Sequence, residues 1–185
     1  MTSDVERILK INSEITAPLL GHTDLALNGE GTMMRYAIHF FYQHVLPAKE
    51  SGAEFVLEDK DKRTILLSME KLFLIKKEQV SESKQSLEIV LTLQDRKEFE
   101  KVIASSREYN PEKPVEQIAE QLLRTYVAIC VHLVHGWSLF RTTKGGNNQT
   151  KINDIDMWLK SPQEPKKKIL DNSWSSAIMQ ERGEQ

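Results

Sequence analysis

The segment AICVHLVHGWSLF, residues 128–140, holds two histidines three positions apart in an apolar run. Residues i and i+3 are neighbours on a helix, so His132 and His135 could grip one metal ion together. A helical di-metal site would also need carboxylates, typically a glutamate three residues before a histidine on each of two helices. The chain has no Glu-x-x-His. Cys130 falls on the apolar side of a helical wheel and the histidines fall outside it. A reactive thiol needs an accessible, electropositive setting, so Cys130 reads as packed and inert. The expectation is no metal and no cofactor.

Arg35 and His39 form a second constellation, four apart on the polar face of an amphipathic stretch. Some helical ribonucleases pair an arginine with a histidine a few residues later, which makes a hydrolase the most remote of three functional readings. His44 lies instead among Met33, Ala37, Phe40 and Phe41, where an imidazole would need a hydrogen-bond partner. Gly-x-Ser-x-Gly and His-Glu-x-x-His are absent, and KGGNNQT lacks the lysine that follows the glycines of a phosphate loop. No catalytic residue is assigned.

The elements that would position these groups read as helical. Ser3 and Glu6 fit a capping box opening a first helix that carries Val5, Ile8, Leu9 and Ile15. Residues 21–31 read as a loop, and a second helix runs over 32–46 until Pro47 stops it. A third spans 60–79, with Ile65, Leu66, Met69, Leu72 and Phe73 on its main stripe. Leu67 and Leu74 lie off that stripe, so this helix would be apolar on two sides and touch something beyond its own core. Residues 83–94 alternate like a strand but stand among helical patterns, and the helical reading is preferred, with a short β-hairpin to EFVLE as the alternative. A further helix starts at Asp95 and ends at Asn110. The longest, 114–140, carries Val115, Ala119, Leu122, Leu123, Tyr126, Ile129 and Leu133 on an arc wide enough for several neighbours. Gln117, Gln121, Arg124, His132 and His135 lie outside that arc. A short helix, 152–159, follows.

The fold class expected is therefore all-α: five to seven helices around a central helix at about 114–140. The bundle domain occupies 1–160 and a C-terminal arm 161–185. The arm is polar but contains Ile169, Leu170, Trp174 and Ile178, apolar side chains that are costly to leave in water.

Composition sets the remaining bounds. The 185 residues carry 25 Lys and Arg against 27 Asp and Glu, a net charge of −2 that gives no global pull toward nucleic acid. No apolar run is long enough to cross a bilayer, and the first residues lack the features of a secretory leader. A single cysteine excludes an internal disulfide framework and fits a cytoplasmic location. The leading expectation is a non-enzymatic protein–protein interaction or assembly subunit. Its partner-binding residues would be Leu67, Leu74, Ile169, Leu170, Trp174 and Ile178, with the arm docking on a neighbouring copy or another protein. The alternative is a small subunit following nucleic-acid backbone through Lys76, Lys77, Lys144, Lys166, Lys167 and Lys168.

Overall fold

Ile89 and Leu91 are buried while Glu88 and Val90 face outward, the period of two that a half-covered strand requires. This is β4 (Ser86–Leu91), paired antiparallel with β1 (Arg7–Asn12) so that Ile11 stands opposite Leu87. In the computed structural model, which describes residues 7–12, 15, 25–76, 86–143 and 148–152, helices and strands mix, and the expected all-α bundle is overturned. The helix expected from Ser3 is β1 over residues 7–12, and the helical reading of 83–94 gives way to β4 over residues 86–91. Neither strand has a partner nearby in sequence, so no sheet is visible locally.

The first helix, α1 (Leu25–Phe40), begins inside the expected loop. Its glycines at 29 and 31 each cost about 1 kcal/mol relative to alanine. Burial of Met33, Met34, Ala37 and Ile38 in the following turns offsets that. Pro47 does not stop the chain. It has no N–H to donate and its ring would clash with the carbonyl four residues back. A π-helical turn, Phe41–Val45, widens the ladder there, with the Leu46 N–H donating to the Phe41 carbonyl. Pro47 then opens α2 (Leu46–Ser51), where no intrahelical donor is required.

The segment expected to be a third helix, 60–79, divides over its described residues into a strand, a short helix and an extended exit, and the strand pairs with one just before it. β2 (Glu54–Glu58) and β3 (Thr64–Leu67) form a hairpin, and Ser68 caps α3 (Met69–Phe73) by accepting from the Lys71 N–H at 3.1 Å. The hairpin turn is built on Asp59, whose carboxylate accepts from the backbone N–H groups of Asp61 and Arg63 at 2.9 and 2.8 Å. Burial opposes the charge on Asp59, but those bonds and the Arg63 guanidinium at 2.6 Å hold its carboxyl below the ordinary value.

Thr92 caps α4 (Leu93–Ser106), which starts before the expected Asp95 because the Thr92 hydroxyl accepts from the Asp95 N–H. The long helix is α5 (Val115–Val134), entered through Pro114. It ends short of residue 140 because Gly136 turns the chain at φ 94°, a conformation open to glycine. The chain continues as β5 (Ser138–Thr142) and β6 (Gln149–Lys151). Strands β3, β2, β5 and β6 lie in that order in one antiparallel sheet. The sheet, α1 and α5 meet in one core, where the Phe40 ring lies 5.9 Å from Tyr126 and 6.3 Å from Phe55. Apart from Ile152, the expected 152–159 helix and the arm lie outside the described residues.

Candidate functional site

The sheet leaves β3 on its outside, and α5 passes beneath it. Between them the chain exits α3 at Leu74 in an extended conformation, with φ −71° and ψ 127°. Extension makes successive side chains alternate. Phe73 and Ile75 turn into the core, while Leu74 is half-buried and Lys76 exposed. Four side chains hold this short span. Asn110, itself 3 % exposed, acts as a peptide group would in a strand partner: its Oδ1 accepts from the Ile75 N–H at 2.9 Å and its Nδ2 donates to the Phe73 carbonyl at 2.8 Å. The Tyr109 ring stacks on Phe73 at 5.3 Å. From α5, Gln121 Nε2 and the Thr125 hydroxyl both donate to the Leu72 carbonyl at 3.2 Å.

The result is a solvent-open cleft of about 210 Å³. Leu57, Ile65, Leu67, Leu72, Leu74 and Ile129 supply its apolar floor and walls. Lys71, Lys76, Arg124 and His132 stand around it, and among the described residues no carboxylate lines it. The Lys71 ammonium donates to the Leu66 carbonyl at 3.0 Å. Burial pulls the Arg124 guanidinium below its ordinary value, with the charge of Glu120 opposing the shift. A guanidinium stays protonated under such a perturbation, so Arg124 presents a cation. His132 Nδ1 lies 2.8 Å from the Ala128 carbonyl, to which it donates, and the ring sits edge-on to Trp137 at 5.1 Å. That bond turns Nε2 outward as the remaining polar atom of the ring.

The cleft gathers residues that the sequence marks for different reasons. Leu67 and Leu74, expected to bind a partner, and Lys76, expected to follow nucleic acid, share its lining. They did not fit one helical stripe because they do not belong to one helix: Leu67 is in a strand and Leu74 in the extended exit. Lys77, Lys144, Lys166, Lys167, Lys168, Ile169, Leu170, Trp174 and Ile178 lie outside the described residues. Sequence reasoning missed Lys71, Thr125 and Ala128. It noted Gln121, Arg124 and His132 only as lying outside the apolar arc, although their spacing of three and eight places them on one stripe of α5.

The other constellations are committed elsewhere. The Arg35 guanidinium holds Asp95 at 2.7 Å, and His39 Nδ1 lies 3.3 Å from the buried Glu98, so both residues tie α1 to α4. His135, like His132, turns Nδ1 to the carbonyl four residues back, at 2.8 Å. Among the described residues no group of three or more His, Cys, Asp or Glu could hold a metal ion. Burial pushes the Cys130 thiol far up, against a weaker opposing hydrogen bond with Tyr126, so thiolate chemistry is closed to it. His44 is half-buried in the π-helical turn, its ring 5.5 Å from Phe40. Among the described residues no helix is long and apolar enough to cross a membrane. In comparisons with protein-family models, curated proteins and solved structures, none matches this chain.

Proposed function

We propose that this chain is a non-enzymatic protein-interaction subunit of a cytoplasmic kind, whose cleft receives a short apolar segment flanked by acidic residues. The observation that carries this reading is the lining of the cleft: an apolar floor ringed by Lys71, Lys76, Arg124 and His132, with no carboxylate among the described residues of its walls. Apolar anchors supply affinity, at about 1.5–3 kcal/mol per fully buried aliphatic or aromatic side chain. Lys71, Lys76 and Arg124 select acidic neighbours and speed the encounter. The volume of about 210 Å³ suits one or two anchoring side chains better than a drug-sized ligand, which needs roughly 300 Å³ or more. A nucleic-acid backbone would favour a wider spread of cations and gain nothing from the leucines. The chain's own residues 169–181 carry Ile169, Leu170, Trp174 and Ile178 with Asp171 and Glu181, between Lys166–Lys168 and Arg182, so they offer the apolar anchors of the proposed class, and assembly of copies through the arm is one form of the proposal.

The test is selection of a random twelve-residue peptide library on the immobilised full chain, with a peptide of residues 169–181 run alongside. Enrichment of apolar sequences bearing Asp or Glu, abolished by Leu74→Glu, supports the reading. No enrichment, or enrichment indifferent to Leu74→Glu, refutes it. Tight, salt-sensitive binding of single-stranded nucleic acid in its place would transfer support to the backbone-binding alternative.

A further inference from the structure

As the first strand of the four-stranded sheet, β3 pairs with β2 on one side, and among the described residues no strand pairs with its other edge. The phase of this ladder follows from one bond. The Asp59 N–H donates to the Arg63 carbonyl, so Leu57 with Ile65 and Phe55 with Leu67 are the hydrogen-bonded pairs of the same register. The backbone N–H and carbonyl groups of Thr64 and Leu66 therefore point away from β2, toward that other edge. Consistent with this, the Leu66 carbonyl meets the Lys71 ammonium at 3.0 Å. Lysine is a common guard of sheet edges. Here the guard is also a wall of the cleft, as are Ile65 and Leu67. Edge and cleft are thus one continuous surface. The Leu66 side chain stands on the opposite face of the strand and is 50 % exposed.

We infer that the partner segment docks as an extended strand added to the edge of β3, with every second side chain entering the cleft. This rests on the cleft being a peptide site, as proposed above, and it specifies the conformation the peptide must take. Residues of the added strand opposite Ile65 and Leu67 share the face of those side chains and drop beside Leu74. Residues between them stand on the outer face, beside Leu66, and form the cross-strand pairs that stabilise sheets. Main-chain bonds to Thr64 and Leu66 give affinity that does not depend on sequence, and the pocketed positions give specificity. Lys71 gives up the Leu66 carbonyl to the incoming N–H and turns its ammonium to an acidic residue of the partner. A helical segment fits less well: it is about 10 Å across and presents a longer row of anchors than a cleft of about 210 Å³ can take.

A proline at an outward-facing edge position removes only the N–H that an added strand would use, and the host sheet tolerates it. Ile65 before it is already extended, as a residue preceding proline must be. The tightest peptide from the selection, labelled with fluorescein, is titrated by anisotropy against the full chain and its Leu66→Ala and Leu66→Pro variants, with circular dichroism to confirm folding. Leu66→Ala and Leu66→Pro both lose the leucine side chain, so strand addition requires Leu66→Pro to bind at least about tenfold more weakly than Leu66→Ala. In the unsubstituted chain, the Thr64 and Leu66 amides should exchange with deuterium at least tenfold more slowly when the peptide is bound, a readout that stands if Leu66→Pro misfolds. Equal binding by both variants together with unchanged exchange at Thr64 and Leu66 overturns strand addition. If Leu74→Glu still abolishes binding in that case, the cleft remains the site and only the mode is wrong. If Leu74→Glu also binds normally, the proposed function itself fails.

Discussion

Replacing Asn110 with alanine should destabilise the chain by about 3–4 kcal/mol, a large share of the roughly 5–15 kcal/mol that holds a typical domain folded. The side chain is almost fully buried and bonds in two directions, to the Ile75 N–H and to the Phe73 carbonyl, with a further bond to the Ser106 hydroxyl at 2.9 Å. Truncation leaves a buried donor and a buried acceptor of the main chain without that partner, at about 1–3 kcal/mol each. For a chain of this size that lowers the melting temperature by on the order of 10 °C, measurable by calorimetry. Asn110→Asp should recover only part of the loss, because a carboxylate still accepts from Ile75 but cannot donate to Phe73. The same change should weaken peptide binding at temperatures where the chain is still folded, since Leu74 and Lys76 sit on the span that Asn110 holds.

Reversing one charge, Arg124→Glu, should lower affinity for the selected acidic peptide ten- to a hundredfold, or about 1.4–2.8 kcal/mol. The guanidinium is half-buried on the α5 wall, so solvent screens it less than it screens the exposed lysines. The substitution also sets two glutamates four apart, at 120 and 124, which costs the helix only a few tenths of a kcal/mol. Stability should therefore change little while binding falls. Isothermal titration at two salt concentrations gives the comparison: the parent loses affinity as salt rises, and the variant loses less. An unchanged affinity would show that the ring of cations plays no part in recognition.

The helices α4 and α5 were legible because a period of 3.6 can be read within a single window, and Pro114 and Asn110 mark their limits. The strands were not. In β4 the alternation was visible, but its partner β1 lies far away in the chain, so nothing local showed a sheet for it to join. Residues 65–67, three aliphatics in a row, suit a helix or a strand equally. The deciding signal was Ser68, whose capping of α3 separates Leu67 from Leu74. For the site, Leu67 and Leu74 stood out by failing to fit the stripe, and a misfit of local pattern is where functional residues are to be sought. Arg124 and His132 were visible as a polar stripe on α5. Their convergence with Lys71 depends on how the sheet packs over that helix, which no periodicity encodes.

The most direct measurement is photo-crosslinking. The selected peptide, carrying benzoylphenylalanine at its apolar anchor position, is irradiated with the full chain and the adducts are located by mass spectrometry. Adducts confined to residues 65–76 and 121–132 are the expected result. Adducts on the α1–α4 face around Arg35 and His39, or scattered without preference, would contradict the assignment of the cleft as the binding site.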